Sequence, residues 1–199
     1  MEKLNLLRGV LKRKFPKEKV NVLTLMLSLA SEKGIISYEE VECDEETKQN
    51  LLLLAYKERL LIPVSASKIP LSLAWEGRTL TAKPGEKYEM PNVIRHLISY
   101  AMETGEWNPE MAVRRYLKEI SEIEMEEMVK VFRGIREEAK KSGMMKVTPS
   151  FIKQICERNK LKIDLNKLIV EFKGGGIISP CPLKFSKNEV TYEVNPSLV

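Results

Sequence analysis

Basic side chains are the one reactive type that this sequence concentrates. Between Lys130 and Lys173 the chain carries Arg133, Arg136, Lys140, Lys141, Lys146, Lys153, Arg158, Lys160, Lys162 and Lys167, diluted by few acids. A second basic run holds Lys3, Arg8, Lys12, Arg13, Lys14, Lys17 and Lys19 against only Glu2 and Glu18. From Glu103 to Glu127 the sign inverts, with Glu106, Glu110, Glu119, Glu122, Glu124 and Glu126 outnumbering Arg114, Arg115 and Lys118. The 199 residues sum to a formal charge of only +5. The distribution, more than the total, therefore points the C-terminal part at a polyanion.

Other chemistries find no footing. Gly174-Gly175-Gly176 follow a helical pattern and lead into an apolar strand, whereas phosphate-cradling glycines precede a helix N-terminus where the dipole is positive. They read as a left-handed helix cap and a tight link. His96 is the only histidine, and a general base needs a nucleophile or orienting group that nothing here supplies. Glu122, Glu124, Glu126 and Glu127 lack the Asp/Asn-Gly loop of a calcium site and read as a solvated helix face. Cys43, Cys156 and Cys181 are widely spaced, which excludes a zinc framework and suits a reducing compartment. No G-x-S-x-G, H-E-x-x-H or G-x-G-x-x-G occurs. A non-enzymatic protein with neither cofactor nor metal is expected. No apolar run reaches the ~20 residues of a bilayer span, and Met1 to Pro16 is too charged for a signal segment. The expected location is the cytoplasm.

The elements that must position the basic residues can be read from local signals. Thr148 caps a helix with Pro149 at its first position, and Phe151, Ile152, Ile155 and Cys156 recur at helical spacing. After a turn over Asn159 to Ile163, Asp164 caps a second helix with Leu165, Leu168, Ile169 and Phe172 on one face. Ile177-Ile178 and Val190 to Val194 then read as strands of a hairpin. The first half has a weaker copy. Helices over Leu4 to Phe15 and Val20 to Glu32 precede Ile35-Ile36, Ser37 caps a turn, and Asp44 caps a helix running to about Leu61. Because Leu51 to Tyr56 is apolar on every face, that helix is expected to be buried from more than one side. Leu61 to Val64 reads as a strand, and Leu71 to Trp75 with Arg78 to Ala82 reads as a hairpin about Glu76-Gly77. Tyr56-Lys57 before Leu60-Leu61-Ile62-Pro63 parallels Phe172-Lys173 before Ile177-Ile178-Ser179-Pro180, which suggests internal duplication. Pro91 to Gly105 and Asn108 to Gly143 are helical in pattern, the latter opened by Asn108-Pro109.

This order of helix, helix and hairpin resembles the winged helix-turn-helix superfamily. The resemblance implies an α+β, mostly helical chain of two winged-helix-like units: residues 1–90 with the first, 91–121 as helical linker, and 122–199 with the second. It further implies a recognition helix in the major groove of duplex DNA and a wing over the phosphates. Carried to this chain, Asn166, Lys167 and Val170 would face bases, while Lys153, Arg158, Lys160, Lys162 and Lys173 would hold phosphates, with Lys184 or Lys187 on the wing. The first unit departs from the pattern. Its helix begins Asp44-Glu45-Glu46, which repels phosphates and suits a homodimer or protein contact through that unit and the linker helices. DNA-binding regulator, protein adaptor and RNA-binding module all stay open at this point.

Overall fold

One order of elements is laid down twice in the computed structural model, which describes residues 1–16, 18–64, 74–143, 145–186 and 189–199. Helix α1 (Glu2–Lys14) comes first. Then follow α2 (Val20–Lys33), β1 (Ile35–Ser37), a 3-10 turn at Tyr38–Glu40, α3 (Glu45–Lys57), β2 (Ile62–Pro63) and β3 (Lys87–Glu89). Two further helices, α4 (Asn92–Thr104) and α5 (Pro109–Glu119), lead to the second set. It runs α6 (Met125–Ser142), β4 (Lys146–Val147), α7 (Pro149–Arg158), α8 (Leu165–Gly174), β5 (Ile178–Ser186) and β6 (Glu189–Val194). Each set closes an antiparallel three-stranded sheet with its last strand in the middle, in the orders β1-β3-β2 and β4-β6-β5. The chain is thus α+β and mostly helical, with two small antiparallel three-stranded sheets.

The registers repeat as well as the order. Tyr88 of β3 stands opposite Ile36 on one side and Pro63 on the other. Tyr192 of β6 stands opposite Val147 and Pro180 in the same way. Both prolines lie on edge strands, where a missing N–H breaks no central ladder. Both tyrosines are buried.

Local chemistry sets the helix starts. Asp44 accepts from the Thr47 amide at 2.9 Å, Asn108 from Met111 at 3.2 Å, Thr148 from Phe151 at 3.2 Å and Asp164 from Asn166 at 2.8 Å, each satisfying an orphan donor. Three readings need correction. Trp75–Gly77 is a 3-10 turn and Arg78 to Ala82 forms no strand, because the central strand of the first sheet is Lys87–Glu89; residues 71–73 lie outside the described residues. α3 is not enclosed all round: Leu51, Leu52 and Ala55 are buried but Leu53 is 41% exposed. α8 does not stop at Phe172 but runs on to Gly174, and the left-handed residue is Gly176, at φ 73°.

The helices between the two units are central to the packing. α4 packs on α1, α2 and α5, and α5 on α6. Its stripe Val93, Ile94, Leu97, Ile98 and Ala101 is buried and joins one continuous apolar core with both units. The triple glycine is where this core meets α8. A Cβ on Gly175 would stand 2.5 Å from Cε1 of Tyr116, and one on Gly176 2.5 Å from Cβ of Pro91. The Tyr116 hydroxyl donates to the Glu171 carbonyl at 3.0 Å, and the Val93 amide to the Gly175 carbonyl at 3.0 Å. The glycines therefore admit a neighbouring ring and helix as well as turning the chain.

Polar contacts also tie the units directly. Arg59 pairs with Glu193 at 3.3 Å, Asn195 donates to the Arg59 carbonyl at 3.2 Å, and the Ser197 hydroxyl donates to the Glu58 carbonyl at 2.7 Å.

Candidate nucleic-acid interface

The turn between α7 and α8 sorts its side chains by alternation. Leu161 and Ile163 are half-buried against the core, while Lys160 and Lys162 between and before them are exposed. Lys160 takes a left-handed conformation, φ 53°, and the next amide, Leu161, bonds to the Cys156 carbonyl at 2.9 Å, which closes α7. Arg158 at the end of α7 and Asn166 in the first turn of α8 are exposed as well. Arg158, Lys160 and Lys162 enter no ion pair among the described residues. Holding them apart from carboxylates leaves their charge available to a ligand. Lys153, one turn earlier on α7, is also exposed and approaches Glu157 only at 3.9 Å.

Lys167 does not present itself to a ligand. Its Nζ lies 2.6 Å from Glu122 and 3.2 Å from Glu124, both in the segment between α5 and α6. Glu122 has a side chain only 4% exposed, so the expectation of a solvated acidic face fails there. Burial pushes the Glu122 carboxyl up, but the Lys167 hydrogen bond and the Glu124 amide more than offset it and hold it below the usual range. Donating to the Glu122 carboxylate likewise raises the Lys167 pKa. A depressed carboxyl contributes stability above its unfolded pKa and loses it as pH falls through the folded value. Lys167→Met strands Glu122 as a buried charge. The expected result is a drop in Tm near pH 7 that shrinks near pH 4, where Glu122 of the variant takes a proton. A drop that is the same at both pH values would show that the pair is not what Lys167 contributes.

The remaining positions divide. Val170 is 60% exposed on the outer face of α8, with Ile123, 92% exposed, set between the two glutamates that hold Lys167. Lys173 is half-exposed and shares a cleft of about 480 Å³ with Val170, Ile62, Trp75, Arg78 and Pro180. One wall of that cleft thus comes from the first unit. It is braced by the Trp75 amide donating to Ser179 Oγ at 3.0 Å and by Arg78 paired with Glu89. Lys184 falls on β5, and Lys187 lies outside the described residues. The cluster that the structure brings together is therefore Arg158, Lys160, Lys162 and Asn166. Lys173 stands about two turns along α8, roughly 10 Å by helical rise. No periodicity in the sequence joins Trp75 and Arg78 to Lys173, which explains why reading it misses the cleft.

In the first unit the corresponding helix is acidic at its start. The Thr47 hydroxyl and amide, with Lys19 beyond them, bring Asp44 down to about 2. Glu45 and Glu46 are exposed beside Gln49 and Asn50. His96 bonds to Glu119 at 2.6 Å, and burial lowers its pKa in spite of that partner. Among the described residues, no group of three or more His, Cys, Asp or Glu is placed to hold a metal ion, and no helix is long and apolar enough to cross a membrane.

A protein-family model matches residues 5–199. No curated protein and no solved structure matches the chain.

Proposed function

We propose that this chain, which belongs to the family matched over nearly its whole length, is a non-enzymatic DNA-binding protein of the winged helix-turn-helix type that serves transcription regulation. The exposed cluster of Arg158, Lys160 and Lys162 at the entrance to α8, without an ion pair among the described residues, carries the reading. Those cations grip phosphates on both sides of the groove that the first turn of α8 enters, and Asn166 is the side chain set to read a base edge. Lys153 adds a phosphate contact from α7. Lys167 braces the helix through Glu122 and makes no base contact. The first unit, with its acidic helix start, stays off the DNA and builds the far wall of the cleft.

The test is duplex affinity measured across a salt series. Phosphate contacts release counterions, so log K falls with log salt at about 0.9 per contact, and three to four contacts give a slope of roughly −3 to −4. Absence of duplex binding at low salt would overturn the proposal. One observation favours a second reading, a protein adaptor: Val170 and Ile123 set apolar side chains on the surface beside the neutralised Lys167. In that case Val170→Glu abolishes capture of the partner, whereas Lys162→Glu leaves it intact.

A further inference from the structure

The cleft between the two units has walls that both of them hold in place. Its volume of about 480 Å³ falls in the range of small-molecule sites, roughly 300–1,000 Å³, and such sites concentrate where two packed units meet. Ile62, Met90, Val170, Ile178 and Pro180 give it an apolar lining. The side formed by Trp75 and Arg78 is pinned at several points. The Tyr56 hydroxyl donates to the Arg78 carbonyl at 2.7 Å, and the Trp75 amide donates to Ser179 Oγ at 3.0 Å. The Arg59 guanidinium lies 5.7 Å from the Trp75 ring centroid and is itself paired with Glu193. Tyr56 and Arg59 belong to the first unit, Ser179 and Glu193 to the second.

Three charged side chains reach the lining: Arg78, Glu89 and Lys173. Arg78 is paired with Glu89 and donates to the Pro63 carbonyl at 3.3 Å, so those two charges answer each other. Lys173 is half-exposed and enters no ion pair among the described residues. The lining therefore offers one unanswered positive charge beside apolar side chains, with Asn92 as a further hydrogen-bonding group. A visiting peptide strand finds little to pair with. Pro63 and Pro180 take amides away from β2 and β5, the two edge strands that border the cleft.

We propose that this cleft binds a small aromatic carboxylate. The carboxylate meets the Lys173 ammonium in a charge-assisted hydrogen bond, and the apolar body lies against Trp75, Ile62 and Ile178. Trp75 favours a ring as that body, since aromatic pairs gain beyond the area they bury. An inorganic anion would leave the apolar lining unused, and a neutral ligand would leave Lys173 unanswered. Because the walls come from both units, the bound molecule bridges them and stabilises the folded state by mass action.

The chain holds two tryptophans, and Trp107, whose Nε1 donates to the Ser197 carbonyl at 2.9 Å, does not line the cleft. Their indole N–H resonances, assigned with Trp75→Phe, are followed while the full chain is titrated with phenylpropanoate at constant ionic strength. The Trp75 resonance should shift saturably, the Trp107 resonance should stay in place, and the Tm should rise. Phenylpropanamide, which keeps the ring and lacks the charge, should bind about tenfold more weakly, the equivalent of 1.4 kcal/mol. Lys173→Gln, at a half-exposed position where folding is not at stake, should weaken phenylpropanoate severalfold and leave phenylpropanamide unchanged. Inorganic phosphate should not move the Trp75 resonance. No saturable shift at millimolar phenylpropanoate overturns the site, as does equal affinity for acid and amide, unchanged affinity in Lys173→Gln, or an equal response to phosphate. Duplex binding through the α7–α8 turn uses neither Trp75 nor Lys173, so each idea can fail alone.

Discussion

Replacing Arg158, Lys160 and Lys162 together by glutamate is expected to weaken duplex binding at least a hundredfold near 0.1 M salt and to flatten the slope of log K against log salt by about three. All three are exposed and free of ion pairs among the described residues, so their substitution disturbs no buried partner and the folded state should be unchanged. Each lost phosphate contact removes about one unit of slope, whereas the reversed charges add repulsion on top. Lys167→Gln is the informative companion. Its ammonium already serves Glu122 and Glu124, so its loss should lower stability and leave the slope nearly untouched. The measurement is a salt series of binding isotherms on one duplex with wild type and both variants. If Lys167→Gln flattens the slope as much as one of the three turn cations does, the binding surface has been drawn on the wrong side of α8.

Gly175→Ala is expected to destabilise the protein by about 2–3 kcal/mol, the upper part of the range for overpacking a filled site. The new methyl would stand 2.5, 2.8 and 2.9 Å from three atoms of the Tyr116 ring. That ring has little room to yield, because its hydroxyl is bonded to the Glu171 carbonyl and the residue is buried in the core. Urea unfolding of Gly175→Ala, Tyr116→Ala and the double variant closes a thermodynamic cycle. Removal of the ring should relieve the methyl clash, so the double variant loses less than the sum of the two single ones. Strict additivity would show that α8 shifts away from α5 on its own.

Much of the local structure was legible from residue types. The capping side chains Asp44, Asn108, Thr148 and Asp164 each start the helix that their chemistry dictates, since an orphan amide donates to the nearest side-chain oxygen whatever the distant fold. The parallel between Tyr56 to Pro63 and Phe172 to Pro180 marked the two places where a helix hands over to an edge strand. Arg158, Lys160 and Lys162 were visible as part of the basic run from Lys130 to Lys173, around the turn between the two capped helices.

What pairs with what was not legible. Lys167 and Glu122 are 45 positions apart, and Arg59 and Glu193 are 134 apart. Sequence alone determined which helices form, where they begin and which side chains turn away from the core. Tertiary structure alone decided which cations are neutralised, why Gly175 has no side chain, and which elements wall the cleft. The reason is range: caps and alternation are settled within a few residues by backbone geometry, whereas ion pairs and steric fit depend on segments that only the packed core brings within a few ångströms of each other.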